Sequence, residues 1–484
     1  MIFDNLEPLK VWQYFDEICK IPRLSKNEDR IRNYLIELAG RYKLEYKTDK
    51  AGNVLIVKPA DPGYERIKSV LLQSHMDMVG EKDASTEHNW DKDPIKPYID
   101  GNWVRAKDTT LGADDGIGIA AQLAVLSDPG IKTGQVECLF TVDEETGMTG
   151  AIELEKNFFK SKILLNLDSE DEGELFIGCA GGIDTVAEIP YTTEPVINDS
   201  VSYSLEITGL QGGHSGDEIH KGFANSVKLM TRLLLTLTEK YGIRISYFNG
   251  GNLRNAIPRE AFASVTCEKK YADSIPGEVD SFLKEVKEKY SDTEPGIIIK
   301  ALKTDVPAKL IDKNTHASLL SALDKCPHGV IAWSEDMEGL VETSTNLASV
   351  KFIDDHIKIV TSQRSSVESA KKEISGRINK IFSVNNANVF HSDGYPGWKP
   401  DTNSEILAIT ASSYRSLFKS EPVVRAIHAG LECGLILEKY PGLDMISFGP
   451  TILGAHTPQE RLDIKTTKKF WDLLVDVLKN IPES

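Results

Sequence analysis

The sequence predicts an α/β fold with a mostly parallel central sheet, interrupted by an inserted α+β domain. Three observations predict it. Short, continuously apolar runs alternate with helical periodicity in the first third. Strands of half-exposed character, grouped with amphipathic helices, fill the middle. The α/β pattern then returns near the end.

Taken in order, residues around 8–20 and 27–43 have helical periodicity, and Asn53–Pro59 and Ser69–Ser74 are apolar, β-rich runs. Gly116–Leu126 reads as a helix leaving a Gly-rich turn. Gln135–Val142 and Ile163–Leu167 read as buried strands. In the middle, Val201–Ile207, Ala261–Val265, Gly296–Leu302, Thr345–Ile353 and His356–Ser362 read as strands, with helices at 222–240, 274–289 and 366–381. An antiparallel sheet backed on one face by helices accommodates them. Ser404–Leu417 and Thr466–Leu478 are helical, and Val423–Ile427 and Met445–Phe448 are strands. No Ser/Gly linker separates the blocks, so the middle reads as an insertion. The expected division is 1–186 and 399–484 for one domain and 187–398 for the insert.

Composition narrows the function. With 484 residues, 40% hydrophobic and 27% charged, the chain reads as globular and multi-domain. A net charge of -17 repels phosphate backbones and anionic membranes, so neither nucleic acid nor a membrane is an expected partner. The start, MIFDNLEPLKVW, does not read as a signal peptide, and no apolar run is long enough for a transmembrane helix. Six scattered cysteines without a CxxC pair fit a reducing, cytoplasmic setting.

Five short segments carry chemistry: QSHMDM at 73–78, TTLGADDG at 109–116, TVDEETG at 141–147, NLDS at 166–169 and GAHTP at 454–458. His75, Glu144–Glu145 and Asp168 follow apolar strands, and Asp114 lies in a turn entering a helix. In open α/β sheets, ligands bind outside the carboxyl ends of the strands. Each segment alone has a plainer reading: a solvated acidic pair at Glu144–Glu145, a helix N-cap at Asp114–Asp115, a surface acidic run from Asp168. Together they crowd carboxylates that a cation would neutralise. Two His and three carboxylates, one of them bridging, suit two zinc ions about 3.5–4 Å apart.

SHMDMV, TTLGADDGIGIA, DEETGMTGA, NLDSE and the distal GAHTP together resemble the di-zinc M20 peptidases. GLQGGHSGDEIHKG at 209–222, GGNLRNAIPRE at 250–260 and AIHAGLECG at 426–434 bring the resemblance closest to the aminoacyl-histidine dipeptidases within that family. The resemblance implies a zinc-peptidase-like catalytic domain and an inserted lid and dimerisation domain. It implies two Zn2+ per subunit, with Co2+ or Mn2+ as possible substitutes. His75 and Asp168 would hold one ion, Glu145 and His456 the other, and Asp114 would bridge. Asp77 would orient His75, and Glu144 would be the general base. A cis peptide would follow Asp114, and Asp115 stands where relatives often carry Asn. His214 resembles the family's oxyanion-stabilising His, contributed by the lid, and Gly212, Gly213 and Gly216 around it allow close backbone approach. Asn255 and Arg364 are candidates for holding substrate, with Ser344 and Asn346 as further lid contacts. His428 and Glu432 are candidates for shaping the site from the catalytic domain.

The expected activity is hydrolysis of dipeptides, preferentially Xaa-His, by a homodimer in the cytoplasm. A tripeptidase, aminoacylase or carboxypeptidase of the same chemistry is the first alternative. A non-catalytic peptide- or metal-binding protein is the second, and the presence of all five presumed ligands and the presumed base weighs against it.

Overall fold

Strands Val136–Thr141, Val70–His75 and Ile163–Asn166 are buried at every residue, which only a sheet covered on both faces provides. In the computed structural model, which describes every residue except Met1, Ile197, Asp217 and Ala429, these three and Asp444–Ser447 are parallel neighbours. They form the centre of an eight-stranded sheet. Antiparallel strands Val54–Lys58 and Glu45–Thr48 extend one side. Glu174–Cys179, antiparallel to Asp444–Ser447, and then Val423–Ile427 extend the other. The sheet is therefore parallel at its centre and mixed overall.

The chain folds as two compact units. The first comprises Met1–Gly178, Pro400–Ala426 and Leu431–Ser484, and the second Cys179–Lys399 with Ile427–Gly430. The second unit starts before the expected residue 187 because strand Gly181–Pro190 belongs to its sheet. That strand opens on Gly181–Gly182, which reads as a turn in sequence. Also unforeseen is the return of Ile427–Gly430 to the second unit, which moves His428 out of the domain expected for it.

The second unit contains a nine-stranded antiparallel sheet. The long pair Val341–Ile353 and His356–Ser365 lies within it. Helices Ser226–Tyr241, Ser274–Lys289, Lys313–Lys325 and Glu368–Phe382 share one apolar core with this sheet, through Leu233, Val279, Leu319 and Ile378. Helix Lys313–Lys325 and strand Arg244–Gly250 escape the sequence reading. Among the described residues, no helix is long and apolar enough to cross a membrane.

A buried histidine of the second unit is expected to make it acid-sensitive. His316 is buried, and its Nδ1 accepts the Ile245 N–H at 3.4 Å. The Thr238 hydroxyl gives its proton to Leu234 O at 2.7 Å, so at 3.1 Å it accepts from Nε2–H of a neutral ring. Burial, then the charge of Arg244, pushes the imidazole from 6.5 down to about 4. Between those values the unfolded chain binds the extra proton, so stability falls as pH drops from 6.5 toward 4. His316→Gln should be less stable than wild type at neutral pH but lose less stability across that window, as read by denaturant unfolding. Parallel pH profiles for the two proteins would contradict this origin.

Candidate metal centre

The central strands and the turns beyond them deliver the predicted residues to one place in the first unit. His75 ends its strand. Asp114 sits with φ -77° and ψ 113° at the non-helical start of Ala113–Ser127, and the Asp114–Asp115 peptide is cis. Glu144 and Glu145 open a short helical turn after strand Val136–Thr141, and Asp168 follows strand Ile163–Asn166. His456, with φ 62°, lies in the loop between strands Ile452–Leu453 and Arg461–Asp463 of a separate four-stranded sheet.

The five side chains form two groups that share Asp114. His75 Nε2 is 3.0 Å from Asp114 Oδ1 and 3.3 Å from Asp168 Oδ1. His456 Nε2 is 3.1 Å from Asp114 Oδ2 and 2.9 Å from Glu145 Oε2. Each Asp114 oxygen thus faces a different imidazole and a different second carboxylate. His75 Nδ1 lies 3.4 Å from Asp77 Oδ1, so Nε2 is the nitrogen turned toward the cluster. Asp77 is itself fixed, because it accepts the N–H groups of Glu144 and Glu145 at 3.0 and 3.2 Å and the Ser25 hydroxyl at 2.8 Å.

The electrostatics are those of buried anions gathered around shared cationic partners. Burial opposes ionisation of Asp77, but His75 and the N–H of Glu144 bring it down to about 2. Burial likewise works against Asp114, and hydrogen bonds with His456 and His75 hold it below the usual carboxylate range. Asp168 is raised to about 6, chiefly by burial. Hydrogen bonds to Asp114 and Glu145 push His456 up to about 11. A proton on this imidazole answers the same negative field that would attract a metal cation.

The donor set fits metal ions. Nitrogen and carboxylate oxygen are the ligands borderline divalent metals take. Ligand atoms of His75, Asp114 and Glu145 lie within 4.8 Å of one another, and Glu145 Oε1 is buried with no hydrogen-bond partner among the described residues. Asp115 also lies near His75 and Asp168, but its oxygens accept the N–H groups of His75 at 3.3 Å and Gly118 at 3.1 Å. Asp115 therefore braces the turn, and burial raises its carboxyl well above the ordinary range. Glu144 has no hydrogen-bond or ion-pair partner for its carboxylate among the described residues, and burial pushes it well up.

Two supports of this centre escape the sequence reading. Glu460 is 2% exposed and accepts the N–H groups of Leu111, Gly112 and Ala113 at 2.7–3.0 Å and of Asp114 at 3.4 Å. It ties the loop of His456 to the turn of Asp114. Arg23, equally buried, donates to the carbonyls of Met76, Asp77 and Gly112.

Glu432 stays in the first unit, and the other remaining candidates lie in the second unit and fall into two groups. His214 and Asn255 line a cavity of about 690 Å3 together with Asn252, Arg259, Glu260 and Lys351. The backbone there is held by Ser215 N–H to Asn255 O and Ile257 N–H to Gly213 O, both 2.8 Å. Gly213 has φ 140°, a left-handed backbone that favours glycine, and a Cβ there would also lie 2.7 Å from Glu218 Oε2. Asn346 donates to Ala256 O at 2.8 Å and buttresses the same loop. Arg364 is not part of that cavity. It donates to the Tyr395 hydroxyl at 3.2 Å, is 8% exposed, and has no carboxylate within ion-pair distance among the described residues. Its strand neighbour Ser344 is 2.7 Å from His428 Nε2. Asp217 of GLQGGHSGDEIHKG and Ala429 of AIHAGLECG lie outside the described residues.

Comparison with known proteins agrees with this architecture. The chain is 41% identical over 480 residues to the cytosol non-specific dipeptidase of Escherichia coli strain K12, covering 99% of each protein. It matches the crystal structure of an aminoacylhistidine dipeptidase from Vibrio alginolyticus with a TM-score of 0.96 and 42% identity, over 100% of this chain and 98% of that one. An aminopeptidase from Bacillus cereus, at 16% identity and a TM-score of 0.60 over 98% of this chain and 99% of that one, shares the fold alone. Residues 71–480 match the peptidase family M20/M25/M40, and the chain belongs to that family.

Proposed function

We propose that the protein is a metal-dependent dipeptidase that cleaves Xaa-His and other dipeptides with two zinc ions. The observation that carries this reading is Asp114, whose two oxygens face His75 with Asp168 on one side and His456 with Glu145 on the other. The relatives named as dipeptidases support the substrate class. Zinc ions bound here supply Lewis acidity to a water and to the scissile carbonyl. Glu144 takes the water's proton on its free carboxylate and returns it to the departing amine. Asp77 keeps His75 in the tautomer that presents Nε2. His214 donates to the developing oxyanion, and Asn255 orients the substrate's polar groups. The inserted domain serves as lid and dimer surface. A cytoplasmic location is supported by six buried cysteines scattered without a CxxC pair and by the name of the Escherichia coli relative.

The test is metal analysis alongside a dipeptide panel, with and without chelator. The expected result is two equivalents of metal and dipeptide turnover that chelation abolishes and Zn2+, Co2+ or Mn2+ restores. Turnover that survives complete removal of metal would reject the reading.

Substrate length is the second expectation. A buried guanidinium without an acidic partner among the described residues suits the free carboxylate of a dipeptide, which it can hold through paired N–H donors. Arg364→Ala should raise KM more than it lowers kcat, and the wild-type enzyme should reject dipeptide amides. Equal kcat/KM for a dipeptide and its amide would rule out carboxylate recognition.

A further inference from the structure

Beneath the metal centre runs a buried hydrogen-bonded chain that the mechanism above does not use. Gln73, Asn166 and Ser447 stand opposite one another on three adjacent parallel strands, and Thr141 ends the fourth. All four side chains are at most 1% exposed. Ser447 donates to Asn166 Oδ1, and the Ser169 hydroxyl lies 2.6 Å from that of Ser447. Asn166 Nδ2 donates to Gln73 Oε1 at 2.6 Å, and Gln73 Nε2 donates to Glu432 Oε2 at 2.7 Å. Thr141 donates to the same Glu432 oxygen at 2.7 Å. Every bond therefore points the same way, toward Glu432.

Direction matters because amides can flip. Turned over, Gln73 would aim its carbonyl at a carboxylate and its N–H2 at the N–H2 of Asn166. An acceptor at the end of the chain forbids this and fixes both amides. Glu432 is 1% exposed, and its other oxygen, Oε1, has no hydrogen-bond partner among the described residues. Among the described residues, its side chain thus accepts only from Gln73 and Thr141. The chain in turn reaches the ligands. Gln73 is two residues before His75 on one strand face. Asn166 Oδ1 also accepts the Asp168 N–H at 3.4 Å, and Gln73 O accepts the Leu167 N–H at 3.0 Å.

We propose that Glu432 is a positioning residue for the metal centre. As terminal acceptor of the chain through Gln73, Asn166 and Ser447, it sets the spacing of His75 and Asp168 and so the affinity of the ion they share. This rests on the reading of that cluster as a metal site. What Glu432 provides is an acceptor rather than a charge, and a glutamine can provide one oxygen in the same place.

The test titrates metal-free protein with Co2+, following the visible absorbance of the bound ion and competition with a chromogenic chelator. Variants are Glu432→Ala, Glu432→Gln and Gln73→Met, the last cutting the chain with little change of volume. Glu432→Ala and Gln73→Met should each weaken Co2+ binding about 10-fold or more and alter the absorbance spectrum, because loss of such supporting bonds typically costs 10- to 100-fold in affinity. Glu432→Gln should restore both affinity and spectrum. Thermal unfolding reports folding, and if Glu432→Ala does not fold, the other two variants decide. Wild-type affinity in Gln73→Met, or a loss in Glu432→Gln equal to that in Gln73→Met, overturns the proposal. Wild-type protein that binds no Co2+ overturns both this and the metal reading. Wild-type protein that binds Co2+ without hydrolysing dipeptides rejects only the activity.

Discussion

Glu144→Gln is expected to retain its metal and lose about 10^3-fold in kcat, the scale of a positioned general base. The amide keeps the shape of the side chain and cannot take a proton. Glu144 is separated from its neighbour by role: Glu145 Oε2 lies 2.9 Å from His456 Nε2 inside the cluster, while the Glu144 carboxylate has no partner among the described residues. Glu145→Gln should therefore do the opposite and lose metal first, with activity partly restored by excess Zn2+. Metal content and single-turnover rates measured on the same samples separate the two. Near-normal kcat in metal-loaded Glu144→Gln would remove Glu144 as the base, and full metal occupancy in Glu145→Gln would remove Glu145 as a ligand.

The contrast between these adjacent glutamates also shows what a sequence can convey. Strand-end placement was legible, since VLLQSH, VECLFT and ILLN are buried runs and their last residues, with those just after them, must emerge at the carboxyl edge of the sheet. That is enough to bring His75, Glu145 and Asp168 together. His456 was legible only through motif resemblance, because its loop hangs from a small sheet whose strands are two to four residues long. Glu460 and Arg23 were not legible. Their partners are backbone N–H and C=O groups up to 349 residues away, and a backbone amide leaves no mark in a sequence. The chain ending at Glu432 was hidden for a related reason. Gln73 and Asn166 each interrupt an apolar strand, and only the parallel register shows that they interrupt it at the same height. In the second unit, most alternating strands and amphipathic helices were readable, though helix Lys313–Lys325 and strand Arg244–Gly250 were not. Gly181–Pro190 was not, because paired glycines look like a turn until a sheet edge is there to receive them.

His214→Ala should lower kcat about 10^2-fold or more while metal content stays at the wild-type level, since a donor to the developing oxyanion acts only in the transition state. The residue sits in the second unit on a Gly-rich turn whose backbone is pinned to the Asn255–Ile257 segment, so its imidazole is presented from a fixed loop. Two arrangements could bring it to the metals: closure of its own lid, or the lid of a partner in a C2 dimer. We expect the second. Co-expression of Glu144→Gln with His214→Ala distinguishes them, because each variant alone is nearly inactive. In trans, every mixed dimer has one site with Glu144 from one subunit and His214 from the other, and random pairing makes about a quarter of all sites competent. In cis, every site lacks one group and no activity returns. Light scattering of the same preparation supplies the control. A protein that is monomeric at assay concentration excludes the trans arrangement whatever the mixing experiment yields, and a dimer that gains no activity on mixing assigns His214 to its own subunit.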